Sequence, residues 1–190
     1  MVSILLKGAF PTIIQLFSFQ FINTTTLHYA GLENDQAFYN GVGLTLTALN
    51  TFVLYIVMSL DIGLIVTAAQ AYGQKKYKLI GYFYHRTIIL HIIIQIFVYF
   101  GLLFSGPLFK LIGFKDDEVE VAMQFLRYSP GLIAGNILFD TAKSFLNAQA
   151  IFVPQVVVQV IMAIIHWFAC AFFIPEYKAK GVAFAYTVTQ

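Results

Sequence analysis

Charge is scarce in this chain. Only 11% of its 190 residues are Asp, Glu, Lys or Arg, against about 25% in an ordinary globular domain. The net charge of +2 is too small and too dispersed for the concentrated basic face that nucleic acid requires, so no nucleic-acid partner is expected. Cysteine is almost absent. Cys170 alone excludes a disulfide framework within the chain and any multi-cysteine metal site, and its apolar neighbours make it a small buried hydrophobe. The sequence also lacks a GxxxxGK[ST] phosphate loop, an HExxH pair and a Cys/His cluster, which leaves ATP-driven work and metal-assisted hydrolysis unsupported. No serine sits on a nucleophile elbow. No catalytic residue, metal ligand or cofactor is assigned, and the chain does not read as an enzyme. The apolar start MVSILLKGAF has no small-residue cleavage site followed by a polar region, so it reads as a first membrane helix and not as a signal peptide.

What is abundant is hydrocarbon. Hydrophobic residues make up 59% of the chain and aromatics 17%, and the mean hydropathy is +0.79. This composition predicts an all-α polytopic membrane protein, because a spanning segment must satisfy its own backbone hydrogen bonds. A bilayer core of about 30 Å takes roughly 20 apolar residues of helix, which divides the chain into five transmembrane helices and the start of a sixth. The first is expected over residues 4–27, with Pro11 favouring a kink. An acidic turn, GLEND, separates it from a second helix over 36–70. A third runs from residue 79 to just before Pro107. The fourth continues through Pro130 and Gly131 to about residue 148, and the fifth covers 153–174, ended by Pro175. GVAFAYTVTQ then opens a sixth helix that the chain does not complete, so residues 1–190 read as a transmembrane lobe truncated in that helix.

Between the second and third helices lies the stretch 59–81, SLDIGLIVTAAQAYGQKKYKLIG. Gln70 and Tyr72 close the apolar run, Gly73 permits a turn, and Lys75, Lys76 and Lys78 form a short basic connector. Such connectors stay on the cytoplasmic side, which places the amino terminus inside.

The polar residues inside the apolar runs are the leads to function, since ionisable groups in hydrocarbon face a bundle interior or an aqueous cavity. Asp61 is the main one, as a hydrogen-bond acceptor or a contact for a proton or cation. Asp140 and Lys143 are three residues apart on one helix face and suit a structural ion pair. Gln15, Asn23, Asn50, Asn136, Asn147 and Gln149 either line a polar path or join helices by hydrogen bonds. His91 and His166 are packing residues or proton relays. Trp167 is a candidate for a cavity wall. Asp116, Asp117, Glu118 and Glu120 suit the positive end of a helix, and their spacing is not that of an EF-hand.

Several of these pieces, in order, resemble the multidrug and toxin extrusion (MATE) transporters, especially the eukaryotic branch: Pro11 and Gln15, then GLENDQAFYNGVGL, SLDIGLIVTAAQAYGQKKYKLIG and FLNAQAIFVP. The resemblance implies a twelve-helix exporter of two six-helix lobes, exchanging a small organic and often cationic substrate for protons or sodium. This chain would be the amino-terminal lobe, partnered by the lipid bilayer and by a carboxy-terminal lobe that it does not contain. By the same resemblance Gln15 and Asn50 would face the cavity. Pro11 would bend the first helix, and Gln70, Tyr72 and Gly73 would shape the inner gate. Asn23 stands where some bacterial members carry a coupling acid, so H+ and Na+ both stay open as the coupling ion. Two other functions remain: a lipid-linked saccharide flippase of the same superfamily, and a degenerate lobe with a structural role or none. Whether the membrane is the plasma membrane or an internal one is left open.

Overall fold

The computed structural model describes the backbone of residues 2–190 and the side chains of residues 9–190. Among the described residues all regular structure is helical. Helix α1 is Val2–Leu32 and carries Pro11 inside it. Helix α2, Gln36–Leu49, starts at Asp35, whose carboxylate accepts from the amides of Ala37 at 3.0 Å and Phe38 at 3.1 Å and so caps two otherwise free donors. It passes through a π-helical turn, Asn50–Leu54, into α3, Tyr55–Gly73. Helices α4, Tyr77–Leu103, α5, Gly106–Ile112, α6, Asp116–Arg127, α7, Pro130–Asn147, and α8, Val153–Thr189, follow. Among the described residues three helical stretches are long and apolar enough to cross a membrane: Gln36–Gly73, Tyr77–Leu103 and Val153–Thr189.

Three boundaries differ from the sequence-based expectation. The expected fourth helix is two, because Pro130 has no N–H to continue the ladder and instead starts α7; Ser129 turns back to the Leu126 carbonyl at 3.1 Å. The third helix ends before Pro107 as expected, at Leu103, and Pro107 falls in the first turn of α5. The second helix runs to Gly73, and the turn after it is made by Lys75 at φ 59°, so Gly73 stays helical and is not the turn residue. Lastly, Pro175 lies inside α8, and the chain breaks three residues later at Lys178, with φ 49° and ψ −123°.

That break reverses the chain. In an unbroken helix, 23 residues would separate His166 from Thr189 by about 35 Å. Their side chains lie 2.8 Å apart. Helix α8 is therefore two antiparallel arms, 153–177 and 179–189, meeting where the sequence separates a fifth helix from the opening of a sixth. A glycine makes the hairpin possible: a Cβ at Gly181 would stand 2.0 Å from the Phe173 carbonyl oxygen.

Helix α1 packs along α8, α2 packs on α6, and α3 packs on both α4 and α7. A large apolar cluster, with Val42, Val53, Phe125, Leu126, Ile174 and Val182 among its fully buried members, joins most of the helices. A smaller one, Leu64, Ala68, Ala71, Ile80 and Ala148, closes the connector end of α3, α4 and α7. The outer faces keep exposed hydrocarbon, including Phe17, Phe97 and Phe172, as suits a surface solvated by lipid.

Helices α2 and α6 are in close contact. A Cβ at Gly41 would lie 2.6 Å from the Val121 Cβ, so the two backbones touch. Beside it the Asn40 amide donates to Glu118 at 2.6 Å, and the Lys115 N–H donates to the other Glu118 oxygen at 3.0 Å. Asp116, Asp117 and Glu118 occupy the first turn of α6, where their charge suits the helix dipole. The bond from Asn40 and that from the Lys115 backbone favour the ionised form, so the Glu118 carboxyl is held below its ordinary 4.5.

Two predictions follow from this packing. Gly181→Ala should lower the unfolding free energy by about 1–3 kcal/mol through overpacking. Gly63→Ala, where nothing lies within 4 Å of the added methyl, should be neutral or mildly stabilising; thermal unfolding of both in detergent checks the contrast. For Glu118, a depressed carboxyl contributes stability that is present above 4.5 and lost as pH falls through its lower folded value. Wild type should therefore exceed Glu118→Gln in stability at neutral pH, and the difference should shrink in acid below 4.5, as read by parallel melts across pH.

Candidate functional site

Polar side chains are expensive in hydrocarbon, so their positions mark what the helices enclose. Between α1 and α2 lies a cavity of about 380 Å³. Its polar lining is Gln20 and Asn23 from α1, Tyr39, Asn40 and Thr47 from α2, and Asn50, the first residue of the π-helical turn. No charged side chain among the described residues lines it. The amides present donors and acceptors without a fixed charge, a surface that can rearrange around differently shaped organic ligands.

Behind the cavity, α1 is pinned to both arms of α8. The Tyr186 hydroxyl donates to Asn23 Oδ1 at 2.9 Å. The Tyr186 ring meets His166 edge-on at 4.7 Å. His166 in turn lies 2.9 Å from Thr26 Oγ1 through Nε2 and 2.8 Å from Thr189 Oγ1 through Nδ1, with Cys170 Sγ at 3.2 Å. His166, Thr26 and Cys170 are fully buried, so this is a packed joint, and it holds Asn23 in the cavity wall.

A second polar group lies in the α3/α4/α7 bundle. Asp61 is 2% exposed; its Oδ1 is 3.0 Å from His91 Nε2, and its Oδ2 accepts from the Ser144 hydroxyl at 3.2 Å. One helical turn beyond His91, the Gln95 amide donates to the Val53 carbonyl at 3.0 Å. Val53 is in the π-helical turn, where the usual backbone pairing is displaced, and Gln95 supplies a partner.

Of the residues singled out by sequence, Asn23 and Asn50 are brought together in the cavity. Gln15 is buried on α1, its Nε2 without a partner among the described residues, and does not line the cavity. Asp61 does not line it either. Trp167 is partly exposed and stacks on Phe21 and on His28, each at 5.9 Å. Pro11 is half-buried within an uninterrupted α1. Gln70 and Tyr72 are exposed at the connector, with Tyr72 edge-on to Tyr77 at 6.0 Å. Asp140 and Lys143 form the ion pair expected of them. Among the amides, Asn147 binds Gln155 and so ties α7 to α8. Sequence reasoning missed Tyr39, Asn40 and Thr47 in the cavity, and missed that Ser144 joins Asp61. No local signal marks these, since each is defined by its neighbour on another helix. No group of three or more His, Cys, Asp or Glu suited to a metal occurs among the described residues.

The MatE family model matches residues 11–172. The chain belongs to the MatE family. It is an integral membrane protein with the MATE transporter fold. A eukaryotic MATE transporter, AtDTX14, is 19% identical with a TM-score of 0.88, over 99% of this chain and 42% of that one. A MOP superfamily transporter from Pyrococcus furiosus is 17% identical with a TM-score of 0.83, over 98% and 41%. A multidrug resistance MATE family transporter in its outward-facing conformation is 15% identical with a TM-score of 0.85, over 98% and 42%. The MatE chain thus spans about two fifths of the length of these solved structures. No curated protein matches the sequence.

Tyr186→Phe tests the joint behind the cavity. It should cost about 0.5–1.5 kcal/mol of stability, the net worth of one hydrogen bond, and a double-mutant cycle with Asn23→Ala should recover most of that as coupling. Thermal melts of the four proteins give the cycle.

Proposed function

We propose that this MatE chain is the amino-terminal lobe of a cation-coupled antiporter that exports small organic, often cationic, compounds. In this reading α1, the continuous α2–α3 helix, α4, the broken pair α6–α7 and the first arm of α8 are five spans, and the second arm of α8 begins a sixth. A carboxy-terminal lobe covers the face on which the α1–α2 cavity opens. The coupling ion is H+ or Na+.

One observation carries the proposal: the uncharged amide-lined cavity that unites Asn23 with Asn50 beside a π-helical turn. Helical irregularities that line a cavity are how membrane transporters place polar groups at bilayer depth. An amide surface also suits organic cations, because carbonyl oxygens accept or face positive charge while aromatic neighbours such as Tyr39 and Phe114 supply contact area. The fold shared with solved MATE and MOP superfamily transporters supports the same reading.

The test is ethidium efflux in vesicles carrying the protein made from its uninterrupted coding sequence, under an imposed proton or sodium gradient. Asn23→Ala and Asn50→Ala should each weaken apparent ethidium affinity about three- to tenfold, as expected for one lost hydrogen bond of roughly 0.5–1.5 kcal/mol. Wild-type vesicles that expel no ethidium under either gradient would defeat the antiport reading. Efflux indifferent to both substitutions would move the substrate out of this cavity.

A further inference from the structure

Asp61 stands apart from the cavity, and its surroundings leave it with one candidate source of positive charge. From α4 it meets His91, which is fully buried. From α7 it meets Ser144, which does not titrate; four residues earlier Asp140 is bonded to Lys143, so that pair adds no net charge. The π-helical turn, Asn50–Leu54, contains no titratable side chain. Towards the connector Tyr84 packs on Phe145 at 5.0 Å, and Leu64, Ala68, Ala71, Ile80 and Ala148 close that end. Beyond them His85, Arg86, Lys75, Lys76 and Lys78 are all exposed.

When Asp61 is ionised it only accepts hydrogen bonds, and the His91 nitrogen facing it then carries the hydrogen. That leaves Nδ1, which has no partner among the described residues. In this state the pair holds one uncompensated negative charge in hydrocarbon, the arrangement that burial penalises most. A single added proton removes it: an O–H bond of a hydronium ion breaks and leaves neutral water, an N–H bond forms at Nδ1, and the imidazolium charge balances that of Asp61 across 3.0 Å.

The geometry points to the Asp61–His91 pair as the site at which this lobe takes up the coupling proton, an inference that rests on the antiport reading above. The pair is also connected to the cavity. His91 lies one helical turn before Gln95, Gln95 holds the Val53 carbonyl, and Val53 belongs to the same π-helical turn as the cavity residue Asn50. Gln95 Oε1 and Thr141 Oγ1 are buried without partners among the described residues, which gives the bundle spare hydrogen-bonding groups for a second arrangement. Loss of the proton re-creates the buried charge and favours a form in which α3, α4 and α7 separate enough to admit water. That movement is transmitted through Gln95 to the α2 wall of the cavity. Asp61 and His91 bind the proton, and Gln95 is a positioning residue.

Two measurements on the protein from its uninterrupted coding sequence test this. In lipid nanodiscs, nitrogen-15 NMR of labelled histidines follows His91, assigned by its loss in His91→Gln. The His91 ring-nitrogen signals should respond to pH, and Asp61→Asn should change that response, because it removes the carboxylate that faces the ring. In vesicles, Asp61→Asn and His91→Gln should reduce ethidium accumulation driven by a pH gradient about tenfold or more, while gradient-free ethidium exchange persists; the exposed control His85→Gln should match wild type. Accumulation by Asp61→Asn at the wild-type level, or a His91 titration unmoved by that substitution, overturns the assignment and leaves the antiport reading standing. A wild type driven by sodium alone, with His91 responding to NaCl and not to pH, overturns it as well. If wild type neither accumulates nor exchanges ethidium, the antiport reading fails, and the NMR decides the site by itself: a titration linked to Asp61 upholds proton binding, and an unlinked one overturns it.

Discussion

The constraint on which the rest depends is that a peptide group in hydrocarbon has no water to bond. It forces the chain into helices and makes each interruption a place where another group must supply a partner. Ser129 answers the Phe125 carbonyl at 2.8 Å where α6 ends, and Gln95 reaches across from α4 to Val53 in the π-helical turn. Buried polar side chains here are accordingly seldom isolated. They sit beside irregular backbone, at helix joints, or opposite one another across an interface.

This accounts for the separation of two polar systems. The α1–α2 cavity is lined by amides and by aromatic and aliphatic contact surface, and it contains no charge. The α3/α4/α7 bundle contains the acid and the imidazole and is sealed from the connector by small apolar residues. The ionisable pair is thus kept out of the cavity, and the helix running from α2 into α3 borders both systems. The π-helical turn is where they meet, with Asn50 on one side and Val53 on the other.

How far the sequence could be read depended on whether a property was local. Apolar length, the basic connector and the caps are local, so the helical membrane architecture was legible, as were the acids in the first turn of α6 and the pairing of Asp140 with Lys143. Prolines were only half legible. Pro11 stays inside a helix and Pro130 starts one, although both interrupt apolar sequence. The difference at Pro130 lies in what packs beside it: a Cβ at Gly131 would lie 2.4 Å from Thr187, so the second arm of α8 already occupies that place. The hydrogen-bonded partners of Asp61 were not legible as such. His91 was visible as a histidine in an apolar run, but its bond to Asp61 depends on the register of α3 against α4, which the connector and the apolar contacts set together. Asn23 and Asn50 were legible as amides in apolar runs, able to line a polar path or to join helices, and family resemblance added a cavity role for Asn50, whereas Tyr39, Asn40 and Thr47 depend on which face of α2 turns towards α1.

The reversal at Lys178 also has a meaning in time. The residues that fix the cavity side of α1 come from the far end of the chain: Tyr186 reaches Asn23 across 163 positions, and Thr189 closes on His166 from the returning arm. A ribosome delivers α1 well before these residues. The cavity wall is therefore organised only once the second arm of α8 has been made, and α1 stays free to settle in the membrane until the chain has turned back to meet it.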